Sequence, residues 1–335
     1  MASPPRDRRP TLADVAALTG VSTALVSIVM REAPGASPAT RERVCRAADE
    51  LGYRPDARAR LLRSTRSRLL GVVFDVRQDF HGDLLGGLYA AGELLQYELT
   101  LSAVTPVRDE ERAMASLLQD RCEAIILLGP RSPTTRLAEL ATRLPVVVVA
   151  RPVRAAGVHV VRTTDDAGQR QAVDHLVSLG HRRITHIDGG RAPGAAQRRR
   201  GFSAAMTHHG LSEDQHIIRG GPGEDDAAHA AGELLKGPLP SAVTVFNDRC
   251  AVAVMDVLHR SRLSVPEEIS VIGYDDSRVA ALSSIQLTTV AQDAEKMASL
   301  AVGRVADRLD GAVVGHRELI VPPRLVIRST TASPV

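Results

Sequence analysis

From residue 69 onward the chain alternates short apolar runs with stretches of helical spacing, and this alternation restricts its fold more than any other feature. The runs occupy 69–74, 99–104, 124–128, 146–149 and 158–161, then 184–187, 217–219, 242–245 and 269–272. Segments such as 84–96 and 227–235 carry apolar residues at helical intervals between them. A short run that is apolar throughout reads as a strand covered on both faces, and strands separated by helices pair in parallel through right-handed crossovers. Two successive series therefore predict an α/β body of two Rossmann-like lobes. A binding site in such a body lies at the carboxyl ends of the strands, in the cleft between the lobes. The length of 335 residues agrees with more than one domain. With 44% apolar residues but only 2% aromatic ones and no Trp, the cores must rest on Val, Leu, Ile and Ala.

The first 68 residues have a different texture. Thr11-Leu12-Ala13-Asp14 has the spacing of a capping box, with Asp in place of the more usual Glu. Leu12, Val15, Ala16 and Leu18 give the helix that follows an apolar face, and Gly20 ends it. Ser22 is a fresh N-cap for a second helix running to about Met30. Only Gly20 and Val21 separate the two, so they must cross steeply, as in a helix-turn-helix unit. After a polar loop at 32–36, Ser37 caps a third helix, Pro38 fits its first turn and Gly52 supplies the residue beyond its end. Val44, Ala47, Ala48 and Leu51 recur at helical spacing and pack it onto the other two. Residues 54–68 hold six Arg, include Pro55 and have too few apolar side chains to bury a face. Such a segment is marginally helical alone, and it reads as a hinge that orders on DNA.

Charge supports that division. The net charge of +3 is uneven: residues 1–68 carry 13 Arg, no Lys and 7 acidic groups, a local +6, which leaves −3 for the rest. A basic head on a slightly acidic body attracts a polyanion at one end, although basic runs are also common on ordinary solvated surfaces. No segment approaches the roughly 18 apolar residues that span a bilayer, and the basic start leads into a capped amphipathic stretch, unlike a secretory signal. Cys45, Cys122 and Cys250 lack metal-ligand spacing and read as reduced, buried thiols of a cytoplasmic protein. His181, His186, His208 and His209 form no metal set. Gly220-Gly221-Pro222-Gly223 lacks the Lys of a phosphate-binding loop and reads as a turn. With no nucleophile and base arrangement and no cofactor motif, the chain is not expected to be an enzyme.

Several blocks, in order, carry a family resemblance. In the head they are T-L-x-D-V-A from Thr11, G-V-S from Gly20, V-S-x-V from Val26, T-R-E-R-V from Thr40, and E-L-G-Y-R-P from Glu50, followed by L-G-V-V at the first strand. In the body they are Gly180-His181-Arg182-Arg183-Ile184, Arg198 three residues before Gly201-Phe202, Asn247-Asp248, Gly273-Tyr274-Asp275-Asp276, Leu287-Thr288-Thr289-Val290 and the closing run from Pro323 to Ser329. Over essentially its whole length the chain resembles the lactose/galactose repressor (LacI/GalR) family. The resemblance implies a DNA-binding domain at 1–53, a hinge helix or linker at 54–68, and an effector-binding and dimerisation body at 69–335 with the fold of periplasmic sugar-binding proteins. Its N-lobe would comprise about 69–161 and 293–322, its C-lobe about 162–290 and 323–335.

By the same resemblance the second helix lies in the major groove of an operator, with Thr23, Ala24 and Ile28 toward the base edges and Ser22, Leu25 and Ser27 near the backbone, and Thr11 is a further DNA-binding residue. The family often has Thr at the place of Leu25 and Arg at the place of Ile28. Ile28 cannot make the bidentate guanine contact of an Arg, and is left to touch a thymine methyl or to pack. In the hinge, Leu62 occupies the place of the family's intercalating leucine, Ala59 lies one turn before it, and Arg58, Arg60 and Arg63 are placed for phosphates. One wedge pair needs two chains, so the resemblance implies a homodimer on near-palindromic double-stranded DNA.

For the body it implies a small-molecule effector, sugar-like in its demand for hydrogen bonds, held by Phe80, Asp83, Arg151, Arg198, Asn247, Asp275 and Gln292. Ala150 stands where many members carry Asp, and the run 163–166 leaves open which residue fills another common acidic place. The implied function is transcriptional regulation in the cytoplasm, at the nucleoid. Repression is favoured over activation because blocking a promoter requires no special surface. A solute-binding protein of the same body fold is the alternative, and it has no use for residues 11–64.

Overall fold

A computed structural model describes residues 10–31, 33–54, 66–312 and 315–334. The chain divides into two compact units, Met1–Ser67 and Arg68–Val335.

In the first unit, α1 (Leu12–Thr19) begins where the backbone N–H and the Oγ1 hydroxyl of Thr11 both donate to Asp14 Oδ2, each at 2.7 Å. Gly20 closes the helix at φ 69°, a left-handed conformation that favours glycine. Ser22 Oγ then accepts from the Leu25 N–H at 3.2 Å and starts α2 (Thr23–Met30). The axes of α1 and α2 differ by 107°. Ser37 accepts from Thr40 N–H to start α3 (Pro38–Leu51), and Gly52 follows it at φ 65°. Val15, Ala16, Val26, Val29, Val44, Ala47, Ala48 and Tyr53 are buried together between the three helices. Cys45 departs from expectation: it lies exposed on α3.

In chain order the body begins β1 (Leu69–Asp75), α4 (Asp79–Leu94), β2 (Glu98–Val104), α5 (Glu110–Gln119), β3 (Ala124–Leu128), α6 (Thr134–Ala141), β4 (Val146–Val149) and β5 (Val158–Thr163). It continues with α7 (Asp165–Ser178), β6 (Ile184–Ile187), α8 (Ala195–His208), β7 (Gln215–Ile218), α9 (Glu224–Leu234), β8 (Ala242–Val245), α10 (Asp248–Arg260) and β9 (Ser270–Asp275). The last elements are β10 (Thr288–Ala291), α11 (Ala294–Leu309), β11 (Glu318–Val321) and β12 (Arg324–Val326). Two sheets result, with strand orders β11-β5-β4-β3-β1-β2 and β12-β10-β9-β8-β6-β7. The first is parallel throughout. The second is parallel except for β12, which runs antiparallel to β10 with Thr289 opposite Val326. The chain crosses between the lobes after β5, after β10 and between β11 and β12.

Side-chain alternation along each strand explains why both faces carry helices. In the N-lobe Leu70, Val72, Ile126, Val147 and Val149 pack against α4 and α11, while Val73, Ile125, Leu127, Val146 and Val148 meet α5 and α6. The C-lobe does the same, with α9 and α10 on one face and α7 and α8 on the other. No single helix among the described residues is long and apolar enough to cross a membrane.

Candidate functional site

The start of α2 is exposed in the first unit. Ser22, Thr23 and Ala24 are exposed, as is Thr11, while Leu25, Ser27 and Ile28 are half-buried. Val26 and Val29 turn into the core, so the helix offers its opposite side to a partner. A Cβ built on Gly35 would lie 3.8 Å from Ile28 Cγ2, so the Ile28 side chain rests beside the loop before α3. The carbonyl of Ser27 accepts from Arg31 Nε at 2.9 Å, which holds that cation at the helix end. Arg58, Ala59, Arg60, Leu62 and Arg63 lie outside the described residues.

In the body a cleft opens at the carboxyl ends of β1, β3, β8 and β9. Phe80, His81, Arg198, Phe246, Asp275 and Gln292 line it. Its enclosed part is about 50 Å³, and it adjoins wider grooves of about 560 and 810 Å³. Three non-glycine residues adopt left-handed backbone conformations at strand ends beside this cleft: Ala150 at φ 61° after β4, and Asp275 and Asp276 at φ 111° and 56° where β9 stops. Conformations of this kind persist where surrounding structure over-determines them, and they cluster at ligand sites.

Arg198 organises the cleft floor. It projects from the first turn and a half of α8, and its Nε donates to Asp165 Oδ1 at 2.9 Å, its Nη1 to the Phe246 carbonyl and its Nη2 to Asp275 Oδ1 at 3.4 Å. The guanidinium lies 3.6 Å from the centroid of the Tyr274 ring and 4.8 Å from that of Phe246. Burial works against its charge, but Asp165 and Asp275 outweigh burial and hold its pKa above the usual value. Asp275 Oδ1 also accepts from Gln292 Nε2 at 2.8 Å. Burial pushes the Asp275 carboxyl up to about 6, against the opposing pull of Arg198 and Gln292. Behind it Asp248 accepts from Ser277 N–H at 2.7 Å and Thr289 Oγ1 at 2.5 Å, and burial followed by repulsion from Asp275 raises it to about 7.

The N-lobe wall contributes a neutral imidazole. His81 Nδ1 accepts from the Asp75 N–H at 3.0 Å, which leaves the ring proton on Nε2. Burial lowers its pKa to about 4. This geometry joins a fixed cation, the Asp275 carboxyl, a neutral donor and the rings of Phe80 and Phe246, a set suited to a small molecule rich in hydroxyls or amides.

Of the residues singled out from sequence, Phe80, Arg198, Asp275 and Gln292 share the cleft. Asp83 faces the wider groove beside it, which Phe80, Asp275 and Gln292 also line. Arg151 turns its guanidinium to the carbonyls of Pro130 and Ser132. Asn247 caps α10, its Oδ1 accepting from Cys250 N–H at 2.8 Å. His81 and Phe246, which line the cleft, and Tyr274 and Asp165, which hold Arg198 beneath it, escaped the sequence reading. Tyr274 lay within a quoted motif and Asp165 within the ambiguous run 163–166. His81 and Phe246 carried no signal beyond standing next to Phe80 and Asn247. Among the described residues no group of three His, Cys, Asp or Glu side chains is arranged to hold a metal.

Comparison with known proteins agrees with both units. A family model described as bacterial regulatory proteins, lacI family, matches residues 11–56, and one described as a periplasmic binding protein-like domain matches residues 173–331. The HTH-type transcriptional regulator GalR of Escherichia coli (strain K12) is 31% identical, over 97% of this chain and 96% of its own. Among solved structures, a LacI transcriptional regulator from a Rhodococcus species is 50% identical with TM-score 0.76, over 79% of this chain and 98% of that one. The lac repressor dimer bound to operator and the anti-inducer ONPF has TM-score 0.82 at 28% identity, over 97% and 100%. A CelR–cellobiose complex has TM-score 0.70 at 29% identity, over 96% and 100%.

Proposed function

The chain belongs to the lacI family of bacterial regulatory proteins, a family of DNA-binding transcriptional regulators, and from that premise we propose that it is a homodimeric repressor whose grip on its operator is set by a sugar-like molecule in the cleft. The observation that carries the effector reading is the cleft floor itself. Arg198 is locked between two carboxylates and two rings, while Asp275 retains a second oxygen for a ligand hydroxyl. The cellobiose bound by CelR is a compound of this chemistry. The relatives are transcriptional regulators, and the protein works in the cytoplasm, where its DNA is.

Within this proposal Thr23, Ala24 and Ile28 face bases, and Thr11, Ser22, Leu25 and Ser27 sit close to phosphates. Leu62 wedges the minor groove with Ala59 beside it, while Arg58, Arg60 and Arg63 hold the flanking backbone. Phe80 and Asp83 meet the ligand from the N-lobe, and Arg198, Asp275 and Gln292 from the floor. Arg151 and Asn247 act at one remove, Arg151 through the loop after β3 and Asn247 through the start of α10. The second copy docks on the exposed apolar side chains of Tyr89 and Leu94 on α4, Leu101 in the edge strand β2, and Val107 beyond it. A ligand moves such a protein between lobe arrangements only through unequal affinity for them.

Binding-site selection from random duplexes, followed by gel shift with galactose, cellobiose and other sugars, tests the proposal. The expected result is one near-palindromic consensus whose affinity changes with a single class of ligand. No preference for any duplex over random competitor, with and without every sugar, would overturn it.

A further inference from the structure

Three arginines line a recess of the C-lobe that is separate from the cleft. The recess, about 300 Å³, is lined by Asp188, Gly190, Arg191, Arg199, Ile217 and Arg219, none of which lines the cleft. Arg191 comes from the loop after β6, Arg199 from α8, and Arg219 directly follows β7. A single carboxylate, Asp188, faces them, and both of its oxygens are engaged. Oδ1 accepts from the backbone N–H groups of Gly190 at 2.9 Å and Gly220 at 3.2 Å, and Oδ2 accepts from Arg199 Nη1 at 2.7 Å. Burial alone would raise the Asp188 carboxyl, but these donors hold it below the usual range, so it stays ionised and balances one arginine. The Arg191 and Arg219 side chains make no hydrogen bond or ion pair among the described residues.

Two exposed guanidinium groups, neither paired with a carboxylate among the described residues, thus border the recess, and cations gathered at a concavity attract anions to it. The guanidinium fork matches the oxygen spacing of phosphate and binds it bidentately. The recess lies at the lower end of the range for small-ligand sites, roughly 300–1,000 Å³, which suits a compact anion. Gly220 passes so close to the Asp188 backbone that a Cβ there would stand 2.6 Å from the Asp188 carbonyl oxygen, so this wall of the recess has no room for a side chain.

We infer that the C-lobe carries a second ligand site, in which Arg191, Arg199 and Arg219 hold a phosphate group, either free or borne on a small ester. Arg199 follows Arg198 on α8, so an anion held there bears on the helix that supplies the cleft's cation.

Isothermal titration of the full chain with inorganic phosphate, and separately with glucose 6-phosphate, at constant ionic strength in chloride, provides the test. One saturable binding event per chain is expected, weakened at least about tenfold, or about 1.4 kcal/mol, in the Arg191→Ala/Arg219→Ala double variant. Equal affinity for both probes would assign recognition to phosphate alone, and tighter binding of the ester would assign it to a phosphorylated metabolite. Arg131 lines the cleft and not the recess, so the Arg131→Ala variant should bind phosphate as the parent does. Absence of saturable binding to either probe, undiminished binding by a double variant with parental melting behaviour, or loss of binding in Arg131→Ala would overturn the inference.

Discussion

At the scale of single residues, the chemistry of both units turns on side chains whose surroundings override their ordinary character. Ile28 sits where the family often has an arginine, and its half-buried side chain rests beside Gly35. Replacing it with Arg in a binding-site selection should bring a new guanine-containing position into the operator consensus, since each good bidentate contact is worth about 1–3 kcal/mol of discrimination. An unchanged consensus would exclude Ile28 from base reading. Asp248 offers a pH signature. Its folded pKa of about 7 lies above the ordinary carboxylate value of 3.8, so the folded state binds its proton more tightly. Its contribution to stability is therefore present at low pH and lost as pH rises from about 4 through about 7. Buried His81, His159 and His186, lowered to about 4, act in the opposite sense, but they are common to parent and variant and cancel in a difference. Urea midpoints should show Asp248→Asn gaining on the parent between pH 4 and pH 8; a constant gap would refute the raised pKa.

At the scale of elements, the site depends on how closely two helices approach. A Cβ placed on Gly201 of α8 would fall 2.6 Å from both the Cα and the carbonyl oxygen of Asp166 on α7. Those two helices carry Arg198 and Asp165, the buried ion pair of the cleft floor. Gly201→Ala should cost about 1–3 kcal/mol of stability by overpacking, visible in thermal or urea unfolding. It should also weaken effector response by displacing Arg198; a fully stable variant would show that α8 can move away freely. Local chemistry made most of these helices legible in advance. The Thr11–Asp14 pair, Ser22, Ser37 and the two closing glycines act through neighbours within a few residues, so their spacing alone carries the message. Strands β10, β11 and β12 carried no such local message. They are three or four residues long and are held by partners far away in sequence, as in the pairing of β11 with β5.

At the scale of the whole molecule, regulation requires two copies, because a near-palindromic operator presents two half-sites. Leu101 lies in the edge strand β2 of the N-lobe sheet and is 38% exposed, and Tyr89 of α4 is 50% exposed. Leu101→Asp should yield a monomer in sedimentation and lose operator affinity by orders of magnitude, while the weak salt-sensitive affinity for random DNA survives. A variant that remains dimeric would move the interface elsewhere.

Alternating apolar runs, capping residues and the separation of a basic head from an acidic body were enough to establish the helix-turn-helix, the paired α/β lobes and the strand ends at which a ligand site belongs. These are consequences of local spacing and of the need to bury both faces of a parallel sheet. Which side chains meet in the cleft was decided only by the folded chain. Arg151 and Asn247 spend their hydrogen bonds on nearby backbone, whereas His81 and Phe246 enter the cleft from separate crossovers and Asp165 anchors Arg198 beneath it. The reason is that a side chain's direction depends on competing partners brought close by tertiary packing, and sequence spacing does not encode that competition.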